Sequence, residues 1–222
     1  MEEKLLLEGN EQEITTRFLL PENPLCMYVF AHGAGAGIDH DFIKNVQNSL
    51  FKKGIATFTF NFIYKEKGKK LPSSKKAVDR EYKLLWEYVR SEYGNKLPLF
   101  AGGKSMGGRV STRVIDDLTG VKGLIFLGFP IHSPGRPDKL VGAYIKNIQT
   151  PMLFLQGSRD PFSSKDVAEK VVAELQHAHL YWLDGGKHSW ETTKKNPKNQ
   201  TQLINEACDQ IVLFCKNILN YL

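Results

Sequence analysis

Apolar residues along the chain follow two alternating rhythms. Nearly continuous apolar or β-branched runs occupy residues 25–31 (Leu-Cys-Met-Tyr-Val-Phe-Ala), 55–62, 97–101, 121–129 and 152–156, with shorter runs at 13–20 and 179–183 opening and closing the series. Runs apolar on both faces predict strands covered above and below, as in a parallel sheet flanked by helices. Between them lie stripes of helical period. Phe42, Val46 and Leu50 mark a helix over 39–53 that Gly54 stops. Val78, Tyr82, Leu85, Trp86 and Val89 mark a second, which Ser73 or Ser74 could cap. Residues 108–118 and 164–175 read as helices. So do residues 200–222, with Ile204, Cys208, Ile211, Cys215, Ile218 and Leu222 on one face. Strand and helix alternate at roughly 25–30 residue spacing with no repeat and no linker. The expectation is one α/β domain over residues 1–222, built on a mostly parallel, doubly wound sheet with helices on both faces.

Composition narrows the class. A chain of 222 residues that is 41% hydrophobic, with 13 phenylalanines, can bury a sizeable core. No apolar run approaches the length of a membrane span. The start, Met1-Glu2-Glu3-Lys4, lacks the basic and apolar regions of a signal peptide, which predicts a cytoplasmic protein. Cys208 and Cys215 share a helix face but sit about 10 Å apart along the axis, too far for a disulfide. With Cys26 they are expected to be buried free thiols. The net charge of +6 comes from 30 Lys and Arg against 24 Asp and Glu, concentrated at 65–76 and 187–198. These runs read as solvated loop faces. They lack the aromatic interleaving or module of a nucleic-acid binder, so attraction of an anionic substrate fits the charge better.

One stretch carries chemistry. From Leu99 to Arg109 a strand breaks into glycines, presents one serine and enters a helix: Gly103-Lys104-Ser105-Met106-Gly107 is G-x-S-x-G in a strand–turn–helix setting. A serine on so sharp a turn has its hydroxyl clear of the backbone, and side chains at the flanking glycines would strike the neighbouring strand and helix. A phosphate loop is disfavoured, because Pro98 stands where the first glycine of that motif must be.

A serine hydroxyl needs a base, and the base a carboxylate. Reactive groups on a parallel sheet gather beyond the carboxyl ends of its strands. His40 falls in a helix, and His177 and His179 precede their strand. His32, His132 and His188 follow strands. His188, in a Gly-Gly loop free to swing over the serine, is the favoured base, with His132 second. His32 is expected to shape its glycine-rich loop. For the acid, Asp160 follows a strand directly and is preferred to Asp184 and Asp138, since the order Ser105, Asp160, His188 is that of a nucleophile elbow. The backbone N–H groups of Met106 and Ala34 are the expected oxyanion hole. His32, Gly33, Lys104 and His132 are the expected pocket residues. No metal or cofactor is called for.

Gly102-Gly103-Lys104-Ser105-Met106-Gly107-Gly108-Arg109, His32-Gly33-Ala34-Gly35 and Phe129-Pro130-Ile131-His132-Ser133-Pro134-Gly135-Arg136-Pro137 together resemble the α/β-hydrolases. Within them they are most similar to small predicted hydrolases related to testis-expressed hydrolase-like proteins and to a regulatory subunit of a histone acetyltransferase complex, and more distantly to dienelactone hydrolases. The resemblance spans nearly the whole chain and implies Ser105, Asp160 and His188 as a triad. The resulting expectation is a cytoplasmic, cofactor-free, carboxylesterase-like serine hydrolase working through an acyl-serine. Its substrate would be a small acyl compound, and the protein a monomer or small homo-oligomer. Acyl transfer or perhydrolysis at the same triad, or a binding module without turnover, are the competing readings. The interval 130–150 is short where larger hydrolases insert lids, so the site should be open and shallow.

Overall fold

The computed structural model describes residues 1–7, 12–72, 74–140 and 143–220. Eight strands form one sheet in the order β1-β2-β4-β3-β5-β6-β9-β10. They are β1 (Glu2–Leu6), β2 (Glu13–Leu19), β3 (Cys26–Ala31), β4 (Ile55–Phe60), β5 (Leu99–Lys104), β6 (Val121–Leu127), β9 (Met152–Gly157) and β10 (Ala178–Leu183). β1 and β2 are antiparallel, and the six strands from β4 to β10 run parallel. A two-residue β7 (His132–Ser133) pairs with β8 (Arg136–Leu140) as a separate hairpin.

Helices cover both faces, as the doubly apolar strands require. Along β3, Met27, Val29 and Ala31 enter one core layer while Cys26, Tyr28 and Phe30 enter the other. The first layer is roofed by α3 (Lys75–Tyr93), α4 (Met106–Arg113) and α5 (Lys165–Ala173), and the second by α1 (Asp41–Lys52) and α6 (Gln200–Leu219). Side chains of Val78, Tyr82, Leu85, Trp86 and Val89 on α3 are all buried, so the apolar stripe is the packed face. Ser74 caps α3, its Oγ accepting from Ala77 N–H at 3.1 Å, while Ser73 lies outside the described residues. Asn199 and Gln202 form a reciprocal capping box at the start of α6, whose far neighbour Leu222 also lies outside them. All three cysteines are buried and free. Among the described residues no helix is long and apolar enough to cross a membrane.

Several expectations are corrected. β1 was not foreseen: its residues are mostly exposed, so its order comes from five backbone pairings with β2, not from an apolar pattern. The helix expected over 108–118 is α4 ending at Arg113, followed by a 3-10 turn at Ile115–Asp117. A one-turn α2 (Ile63–Glu66) opens the basic stretch that had been read as a solvated loop. His40 is the N-cap of α1, accepting from Phe42 N–H, and His179 lies within β10. Among its described residues the interval 130–150 holds the β7–β8 hairpin and a 3-10 turn, and no lid helix.

Candidate active site

The chain leaves β3 towards β4 on one side and later places β5 on the other, so the carboxyl ends of β3 and β5 flank a topological switch point, the natural crevice of an open parallel sheet. Ser105 emerges there. Its φ of 51° and ψ of −108° put a non-glycine residue in strained backbone between β5 and α4. The strain is held by close packing. A Cβ on Gly103 or Gly107 would come within 2.5 or 2.3 Å of the Ala31 carbonyl oxygen, so the turn can lie against β3 only with glycine at both places. Ser105 N–H donates to Leu127 O at 3.2 Å. Where the glycines interrupt the ladder, the buried Tyr82 hydroxyl of α3 accepts from Gly102 N–H at 2.9 Å and lies 3.1 Å from Val29 O. Tyr82 counted in the sequence only as one position of an apolar stripe; its hydroxyl stitches the elbow.

His188 arrives from β10, with β9 and β6 lying between it and β5. A Cβ on Gly157 would meet the Gly186 and Lys187 carbonyl oxygens at 2.3 Å, and one on Gly128 would meet His188 O at 2.8 Å. The loop after β10 therefore crosses the ends of β9 and β6 through space that only glycines leave open. It is pinned, contrary to the expectation of a freely swinging loop. Gly185 N–H donates to Ser158 Oγ, Arg159 N–H to Gly186 O and Trp190 N–H to Lys187 O. Trp190 is fully buried, edge-on to Phe42 at 4.9 Å. This delivers His188 Nε2 to 2.9 Å from Ser105 Oγ and His188 Nδ1 to 2.8 Å from Asp160 Oδ2. A carboxylate only accepts, so Nδ1 carries the proton and Nε2 faces the serine as acceptor. The Asp160 side chain has no solvent exposure, and its other oxygen accepts from Phe162 N–H at 2.9 Å. The rival carboxylates are elsewhere: Asp184 accepts from Ser158 Oγ, and Asp138 sits exposed on the hairpin beside Arg136.

Residues 25–216 match the family of the alpha/beta hydrolase domain. The chain belongs to that family. Among solved structures it is similar to an α/β serine hydrolase without a lid from Xanthomonas campestris, at 18% identity and a TM-score of 0.70, over 99% of this chain and 94% of that one. It is similar also to a dienelactone hydrolase from Anabaena variabilis, at 16% identity, TM-score 0.73, 96% and 97% coverage. Est1E of Butyrivibrio proteoclasticus, solved with ferulic acid bound, aligns at 15% identity, TM-score 0.69, 97% and 99% coverage. At such identities the likeness speaks for the α/β-hydrolase fold.

In this α/β-hydrolase Ser105 and His188 meet at a cavity of about 720 Å³. Ser105, His188, Gly33, Ala34, Lys104, Met106 and His132 all line it. His32 does not, which corrects its expected place in the pocket. Its ring turns under the β4–α2 connection, edge-on to Phe62 at 5.2 Å, with Nδ1–H donating to Gly33 O at 2.7 Å and Nε2 accepting from Phe62 N–H at 3.3 Å. Burial pushes its imidazole down to about 4, so it is a neutral brace for the glycine loop. His132 cannot serve as the base either. Nδ1 bonds Ser133 O at 2.9 Å, and Nε2 accepts from Ser164 N–H at 2.8 Å, tying the hairpin to the start of α5.

Leu71, Pro72, Lys75 and Val78 also line the cavity, so part of the basic stretch faces the site and not only solvent. Lys104 is 5% exposed. Its stem passes beneath Gly33, and its Nζ lies 5.7 Å from the Phe42 ring centroid with no hydrogen-bond partner. Burial pushes the ammonium down to about 7, against the opposing pull of Asp160 and Glu191.

Proposed function

We propose that the protein is a serine hydrolase cleaving a carboxylic ester or related acyl bond through an acyl-Ser105 intermediate. The unbroken hydrogen-bonded chain Ser105–His188–Asp160 at the mouth of a strained elbow carries this reading. His188 Nε2 takes the Ser105 proton as Oγ attacks the acyl carbon, then returns it to the leaving alcohol. Water repeats the sequence to release the acid. Asp160 holds the imidazole in the productive tautomer and stabilises the imidazolium. The oxyanion is assigned to the N–H of Met106, which as first residue of α4 has no intrahelical acceptor, and to that of Ala34 on the facing loop. Each donor of this kind is worth about 3 kcal/mol of barrier. The finer resemblance, to the small hydrolases related to testis-expressed hydrolase-like proteins, supports hydrolysis without naming a substrate.

Labelling with a fluorophosphonate probe tests the reading. The wild-type chain should become covalently modified and Ser105→Ala should not. A folded wild-type protein that neither labels nor releases p-nitrophenol from simple esters would overturn it.

A further inference from the structure

The walls of the cavity are one-sided in charge. Lys75, Lys104, Arg109 and Arg113 line it, and no Asp or Glu side chain does among the described residues. Arg113 is ion-paired with Asp79 of α3, its Nε 3.0 Å from the carboxylate. The other cations are different. Among the described residues six buried side-chain nitrogen or oxygen atoms lack a hydrogen-bond partner, and the two that belong to cations are Lys104 Nζ and Arg109 Nε. Both line this cavity. Lys104 is buried as a whole, whereas Arg109 is half-buried with its Nε closed off from water, so its guanidinium lines the cavity with a donor that no protein group occupies.

Arg109 is the better placed of the two for a ligand. Lys104 Nζ sits low in the site under Gly128, within the field of Asp160. Arg109 stands one helical turn after Ser105, its N–H bonded to Ser105 O at 3.2 Å, and both residues line the cavity. A guanidinium presents a planar fork of donors that matches a carboxylate. Around it the wall is apolar: Phe42, Ile43, Leu71, Val78, Met106 and Phe162.

Resting on the hydrolase reading above, we propose that the substrates are esters carrying one carboxylate on an otherwise apolar skeleton, anchored by Arg109 with Lys75 adding long-range attraction. The experiment compares matched pairs. One pair is mono-p-nitrophenyl glutarate and its neutral methyl ester, with the charge on the acyl side. The other is 4-acetoxybenzoate and its methyl ester, with the charge on the leaving group. In at least one pair kcat/KM should favour the anion by about tenfold or more at low salt, and the preference should shrink as ionic strength rises. Arg109→Gln should cut the anion-to-neutral ratio about tenfold, the order expected for losing a charge-assisted hydrogen bond. Lys75→Ala, at an exposed position safe for folding, should cut it about two- to threefold, and fluorophosphonate labelling shows whether each variant retains a formed site. Preference for the neutral ester in both pairs, or a ratio untouched by both substitutions, overturns the inference while labelling at Ser105 leaves the hydrolase reading intact. Absence of labelling and of all turnover removes both.

Discussion

At the scale of single residues, the same side-chain type does different work according to what it touches. Three histidines follow strands at the same edge of the sheet, yet two have both ring nitrogens committed to backbone or to Ser164, and of the three His188 alone keeps one nitrogen on a hydroxyl that lines the cavity. Lys104 is the residue at which stability and function pull apart. Its folded value, about 7, lies below the ordinary 10.5, so between those limits the unfolded chain binds more protons than the folded one. Stability therefore rises with pH across the window from about 7 to 10.5, and below 7 the folded protein carries the full cost of a charged, buried ammonium. Lys104→Met should accordingly raise the urea midpoint at pH 6, with the gap to wild type narrowing towards pH 10. Chemical denaturation at pH 6, 8 and 10 measures it; an equal gap at all three would show that the ammonium is not the destabilising group.

At the scale of elements, the elbow and the His188 loop are both built from backbone that approaches backbone. Gly103 and Gly107 let α4 begin against β3, and Gly157 and Gly128 let the loop after β10 run across two strand ends. The second pair bears on function more than on the core. Gly157→Ala places a methyl carbon 2.3 Å from two carbonyl oxygens of the loop, which must lift, and Gly186 and Lys187 immediately precede His188. A shift of about 1 Å at a catalytic base costs on the order of 100-fold in rate. The expected outcome is a loss of at least tenfold in the rate of fluorophosphonate labelling, with a cooperative thermal transition retained. Labelling at the wild-type rate would mean that the loop has another route over β9.

At the scale of the whole molecule, the sheet has an edge whose order is supplied by pairing alone. β1 is mostly exposed, but it covers the outer backbone groups of β2, and Arg17 of β2 ties Glu2 to Asp39 beyond the glycine loop. Removing residues 1–7 bares that edge, and an unpaired edge strand is a template for association. The truncated chain should show concentration-dependent self-association by light scattering where the full chain shows less; equal scattering would assign β1 no protective role. Much of this architecture was legible beforehand. Strands apolar on both faces required a covered parallel sheet, the stripe from Val78 to Val89 required a packed helix, and the G-x-S-x-G turn singled out Ser105, because these signals are local and periodic. β1, the β7–β8 hairpin and α2 were not legible, since their residues gain order from partners distant in sequence or from a single turn of backbone. The position after the last strand already favoured His188 over His132 and His32, but the bonds that commit the other two rings and the route by which His188 crosses β9 and β6 depend on strand order, which no local pattern encodes. The same holds for the charge of the cavity. The basic stretch at 65–76 is visible in the sequence, but only tertiary packing brings the exposed Lys75 to the cavity that Arg109 also lines and, among the described residues, leaves every Asp and Glu out of its wall.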